Sequence, residues 1–225
     1  MGVRSTVTPS LIFFRSGEPA YITRRFDVKP DGMRHGQEDM ASLAGRTRHT
    51  AGSDFKYEGS YEEIARIIES TVPAYRVELE KLFSLIVFNY LFSNGDAHLK
   101  NFSLIDTAYG DYVLSPAYDL ICTCLHVEDS YFALKGALFS GDYETESLLA
   151  KGFYAYDDIY EFGLWIGLQE KRLAGILHIF RQDHATVHKL IKHSFLRENM
   201  KDVYRNYYLE RLEMLNCSMA ERNRA

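Results

Sequence analysis

The chain has 225 residues, 46% hydrophobic and 25% charged, the composition of an ordinary globular protein long enough for one substantial core or two lobes sharing a cleft. A net charge of −5 excludes the chain-wide basic footprint of a nucleic-acid binder, so no direct nucleic-acid binding is expected. No run approaches the length of a transmembrane helix and the N-terminus lacks a signal-peptide hydrophobic region, so the expectation is a cytoplasmic protein with no membrane partner.

In chain order, Gly2 and Thr6 fit the loose N-myristoylation pattern, a match that coincidence explains. Residues 10–14 (SLIFF) and 20–24 (AYITR) flank Arg15, Ser16, Gly17, Glu18 and Pro19, which predicts a β-hairpin rich in β-branched and aromatic residues. Residues 27–36, with Pro30, Asp31 and Gly32, and 46–60, with Gly52 and Gly59, are expected as loops. They bracket a short predicted helix, 37–45. Apolar residues recur at helical spacing over 61–70 and again over 74–92, where Leu79, Leu82, Phe83, Leu85, Ile86, Val87, Tyr90 and Leu91 cover most of the circumference. Such a helix is buried, and it delivers the loop beginning at Asn94 from a rigid support. Beyond Leu120 helices are expected at about 145–151, 157–168, 169–181, 184–194 and 200–216, followed by a polar tail, 218–225. Cys122, Cys124 and Cys217 make no metal-ligand framework and suit a reducing compartment. His184 and His188 lie four apart, yet without a third ligand or an intervening Glu they read as a polar helix face.

The chemistry concentrates in NGDAHLKN at 94–101 and SPAYDL at 115–120. Asp96, an Asn five residues later at Asn101, and a second carboxylate at Asp119 have the spacing of a kinase phosphotransfer site: base, metal ligand, metal ligand. Short apolar runs at 102–105 and 112–114 around a Gly-containing loop predict a hairpin. Antiparallel strands return the chain to its starting edge, so Asn101 and Asp119 are expected as neighbours converging on one hard cation. Singly, each of the three is also an ordinary turn or cap residue.

Together with ITRRFD at 22–27, EDM at 38–40 and KYEGSYEEIARII at 56–68, these motifs resemble the HipA-like serine/threonine kinases, toxin components of bacterial toxin–antitoxin pairs, and the likeness spans nearly the whole chain as the carboxy-terminal region of that family. The resemblance implies an α+β fold: a protein-kinase-like, mostly helical large lobe over 28–225 and a β-hairpin remnant of the small lobe, with the hinge, over 1–27. It implies Asp96 as catalytic base, Asn101 and Asp119 as Mg²⁺ ligands, His98, Lys100, Asn101 and Tyr118 lining ATP, and Arg24 and Phe26 at an adenine-reading hinge with Asp27 near the ribose. It further implies a helix-turn-helix antitoxin as partner and an aminoacyl-tRNA synthetase as protein substrate. No Lys and no Gly-rich loop precede Arg24, so the phosphate-covering part of a kinase small lobe is expected from a separate chain, and slow or no transfer is expected without it. Two rival readings stay open: a non-catalytic kinase-like module acting through a partner, and a small-molecule phosphotransferase.

Overall fold

The computed structural model describes residues 9–219; Gly2, Thr6 and most of the expected polar tail lie outside them. Strands β1 (Ser10–Phe13) and β2 (Pro19–Ile22) form the first hairpin, with Ser10 opposite Ile22 and Phe13 opposite Pro19. Its turn passes through Gly17 at φ 87°, a left-handed conformation that glycine adopts without a steric cost. Leu11, Ile12, Phe13, Tyr21 and Ile22 are all exposed, although the Phe13 ring meets Phe195 edge-on with centroids 5.2 Å apart.

One expected helix is partly a strand. Gln37–Asp39 is β3, paired antiparallel with β4 (Ser103–Asp106), which in turn pairs with β5 (Tyr112–Leu114). Helix α1 (Met40–Leu43) starts only after Asp39, because the Asp39 carboxylate accepts the Ser42 N–H at 2.9 Å and caps it there. A strand suits three polar residues because β4 has a free edge whose backbone groups need partners. The expected loop 46–60 contains a short helix, α2 (Arg48–Ala51), and a 3₁₀ turn, Phe55–Tyr57.

The body is helical. Helices α3 (Tyr61–Thr71) and α4 (Tyr75–Leu91) precede the loop and sheet; α5 (Glu146–Lys151), α6 (Tyr156–Trp165), α7 (Glu170–Phe180), α8 (Ala185–His193) and α9 (Glu198–Asn216) follow them. Helix α4 runs through the centre, touching α3, α7 and α9. Leu82, Phe83, Ile86, Val87, Tyr90 and Leu91 are sealed from solvent, and each large apolar side chain so buried contributes about 1.5–3 kcal/mol. Phe83 stacks on Phe162 of α6 and Phe92 on Tyr208 of α9. The buried Glu78 of α4 accepts the Leu114 N–H at 3.0 Å and the Lys81 ammonium at 2.6 Å, pinning the end of β5 to the pillar. The Cys122 to Cys124 stretch enters a single 3₁₀ turn, Thr123–Leu125.

Candidate active site

Past the end of α4 the chain turns sharply at Ser93, φ 53°, whose carbonyl accepts both the Thr123 N–H and its hydroxyl. The buried Asn94 then ties the site together. Its amide donates to Asn89 Oδ1 at 3.0 Å and to the Asp119 carbonyl at 3.2 Å, and its own oxygen accepts the Asp96 N–H at 3.3 Å. Gly95 packs so closely on Asp129 that a Cβ there would lie 2.3 Å from the Asp129 Cβ. Only glycine lets the loop pass.

Asn101 closes the 3₁₀ turn Leu99–Asn101 just before β4, and Asp119 follows β5. The hairpin between them brings the Asn101 amide nitrogen to 2.6 Å from Asp119 Oδ2. Asn101 Oδ1 is buried without a hydrogen-bond partner. Asp119 itself holds φ 56°, a conformation that Asp tolerates better than bulkier residues.

Asp96 Oδ1 accepts the Tyr57 hydroxyl at 2.7 Å and lies 3.9 Å from His98 Nε2. Burial, joined by the Lys56 charge, pushes the His98 imidazole below its ordinary value against the opposing pull of Asp96 and Asp119, so it is neutral at neutral pH. Both carboxylates therefore act on one ring. The His98 Nδ1 atom is buried and unpartnered.

Arg24, Phe26, Asp27, Tyr118 and Asp119 line a single cleft of about 560 Å³. Phe26 stacks on Tyr118 with ring centroids 5.7 Å apart. The Tyr118 hydroxyl donates to the Lys100 carbonyl at 2.7 Å and accepts from the Ser103 hydroxyl at 2.6 Å; burial pushes its ionisation up to about 12. The Asp27 carboxylate is buried, with the Arg25 guanidinium donating to both of its oxygens at 2.8 and 2.5 Å. Those hydrogen bonds hold it below the usual carboxylate range despite the opposing cost of burial. Lys100 points to the cap of α1 instead, its ammonium 2.6 Å from Asp39 Oδ2. Contact with a phosphate requires it to leave that carboxylate.

Three residues of this site carried no role in the sequence reading. Asn94 and Asp129 gave no signal beyond polarity; Tyr57 sits inside KYEGSYEEIARII, where only its hydroxyl geometry reveals what it touches. His184 and His188 bond to the Ile179 carbonyl and to Asp183, and no cluster of three His, Cys, Asp or Glu able to hold a metal occurs among the described residues.

A helical body, a three-stranded antiparallel sheet and a loop that carries Asp96 and brings Asn101 to Asp119 make this a protein-kinase-like α+β fold. Solved structures agree: HipA of Shewanella oneidensis MR-1, determined with HipB and operator DNA, superposes with a TM-score of 0.66 at 19% identity over 94% of this chain and 52% of its own. The Helicobacter pylori proinflammatory kinase CtkA superposes at 0.61 and 14% identity over 95% of this chain and 78% of its own. Residues 3–188 match the HipA-like C-terminal domain model, and the chain belongs to that family. A Haemophilus influenzae protein that carries a provisional kinase name is 28% identical over 208 residues, 88% of this chain and 61% of that protein. A provisionally named kinase of Sinorhizobium fredii, Y4dM, is 36% identical over 110 residues, 48% of this chain and 25% of its own. The chain thus spans less than two thirds of the curated relatives it matches.

Proposed function

We propose that the chain is the large-lobe part of a HipA-like kinase that transfers the γ-phosphoryl group of ATP to a protein Ser or Thr, with residues 1–27 contributing hinge and small-lobe strand. The observation that carries this reading is the contact between Asn101 and Asp119 with Asn101 Oδ1 left buried and unpartnered. A buried amide oxygen without a donor costs about 1–3 kcal/mol, and a hard cation held by that oxygen and the Asp119 carboxylate removes the cost. The donor set fits Mg²⁺, which takes one or two protein oxygens and fills its shell with phosphate and water. Bound there, Mg²⁺ would supply charge neutralisation at the phosphate oxygens.

The chain's own residues do the rest. Asp96, partly exposed and anchored, takes the proton of the attacking hydroxyl. Phe26, Tyr118 and Arg24 line the cleft for the base and ribose, and His98, neutral, offers an uncharged polar edge towards the phosphates. Lys100 joins the nucleotide by exchanging Asp39 for phosphate.

The exposed hairpin argues for further strands at its edge. A two-stranded sheet is marginal alone, and this one exposes apolar residues on both faces. A polypeptide carrying further strands adds to its edge by backbone pairing and supplies the phosphate-covering elements. A helix-turn-helix antitoxin and an aminoacyl-tRNA synthetase substrate complete the proposal, by likeness to the HipA-like toxins; the Shewanella HipA was solved with HipB. The setting is the cytoplasm. The deciding experiment is calorimetry of ATP binding with and without Mg²⁺. Binding that requires Mg²⁺ and is lost in Asn101→Ala supports the reading; Mg²⁺-indifferent binding overturns it.

A further inference from the structure

Two tyrosines from one segment grip the loop that carries Asp96. Tyr61, fully buried at the start of α3, donates its hydroxyl to the Ala97 carbonyl at 2.8 Å. Tyr57, four residues earlier, reaches the neighbouring residue and donates to Asp96 Oδ1 at 2.7 Å. The backbone of Tyr57 is fixed at both ends, its N–H on the Asp54 carbonyl at 2.8 Å and its carbonyl on the Lys135 N–H at 2.9 Å. Its ring meets His98 edge-on at 5.3 Å, and the Lys56 ammonium sits 4.7 Å from the ring centroid. A phenol held on so many sides is a fixture rather than a passing contact.

What it fixes is the plane of a carboxylate. The terminal torsion of Asp is broad and roughly two-fold, so an untethered carboxylate presents either oxygen over a range of angles. His98 Nε2, at 3.9 Å, is beyond hydrogen-bond reach. Tyr57 is therefore the donor that engages Oδ1, and Oδ2 is left to meet an incoming hydroxyl.

We propose that Tyr57 is a positioning residue of the phosphoryl-transfer site, anchoring Asp96 Oδ1 so that the proton of the substrate hydroxyl passes to Oδ2. The proposal rests on Asp96 being the base. It also explains why a donor that weakens the carboxylate as a base is worth having: orientation errors of about 1 Å cost on the order of 100-fold in rate.

The test uses the full 225-residue chain and has two readouts. In chains labelled at the tyrosine Cζ carbon, the Tyr57 signal is assigned by its loss in Tyr57→Phe and followed through a pH titration. Burial and then the Asp96 hydrogen bond hold the Tyr57 phenol above its ordinary value, so Asp96→Ala should move its titration to lower pH. An unmoved titration overturns the anchor. Alongside it, ADP release from Mg-ATP is measured for the same variants. Tyr57→Phe is expected to lower kcat about 10–100-fold with KM for ATP unchanged. If Asp96→Ala abolishes ADP release while Tyr57→Phe changes neither kcat nor its pH profile, the positioning role is wrong and the base survives. If Asp96→Ala leaves release intact, the base assignment itself is wrong. Where release is too slow to measure, the titration decides.

Discussion

Replacing Gly95 by Ala puts the sharpest steric demand on the loop that carries Asp96. The new Cβ would lie 2.3 Å from the Asp129 Cβ and 2.7 Å from its Cγ, against ordinary contacts of 3.4 Å or more, so the loop or Asp129 must move by about 1 Å. Asp129 lies outside the helices and strands, which lets its backbone yield, but its Oδ2 is buried, so the side chain cannot simply swing into solvent. Overpacking of this kind costs about 1–3 kcal/mol, and each kcal/mol lowers Tm by about 2–4 °C in a chain of this size. The double variant Gly95→Ala, Asp129→Gly removes the clashing atoms and should recover most of the loss, a coupling that thermal melts of the four proteins in the cycle measure directly. Gly175→Ala in α7 serves as control, since that glycine has nothing near its would-be Cβ and does not hold a positive φ, so it should melt no lower than the wild type. A Gly95→Ala protein that melts with the wild type, or a double variant no better than the single, would refute the close approach and with it the rigid placement of Asp96.

Further outcomes are expected. Asp96→Asn should abolish phosphoryl transfer in the assembly with a small-lobe chain while leaving the melting curve unchanged, because the amide keeps an oxygen for the Tyr57 hydroxyl; retained transfer rules Asp96 out as base. Asp119→Asn should weaken Mg²⁺-dependent ATP binding by about 10–100-fold in calorimetry, and unchanged binding contradicts its role as ligand. A HipA-type small-lobe fragment should bind the chain and raise ADP release, whereas rapid autophosphorylation by the chain alone contradicts the need for it. Asp27 titrates below the usual carboxylate range, so its contribution to stability is full above the unfolded carboxylate value of about 4 and disappears as pH falls through the lower folded value. Denaturant melts at stepped pH should show that acid loss shrinking in Arg25→Ala; an identical pH dependence would mean the pair contributes nothing.

The elements that periodicity encodes were legible in the sequence. Helix α4, apolar nearly all round, and the hairpin formed by β4 and β5 both follow from side-chain spacing alone, and with them the meeting of Asn101 and Asp119. What was not legible depended on long-range pairing. Gln37, Glu38 and Asp39 have no strand signal; they are a strand because the edge of β4, more than sixty residues later, offers them backbone partners. Likewise the family resemblance set Lys100 beside the nucleotide, and only the fold shows Asp39 within 2.6 Å of it. The Tyr57 contact spans 39 residues, a separation that no local rule reaches.

One property of the structure supports the candidate site without reference to motif or family. Native proteins satisfy nearly all buried polar atoms, so those that fail ask for an explanation. Among the described residues, the buried side-chain atoms without a partner belong to His98, Asn101, Asp129 and Arg211. His98 and Asn101 lie within the loop 94–101; Asp129 packs on Gly95; Arg211, stacked 4.1 Å over the Tyr131 ring, reaches Ser93 at the loop's entrance. Elsewhere the chain spends its polar groups conservatively, as the doubly bonded Glu78 shows. Local rules are broken where function requires it. The buried amide oxygen of Asn101 beside the Asp119 carboxylate is such a place, and on the proposed reading a cation and its phosphates would bind there.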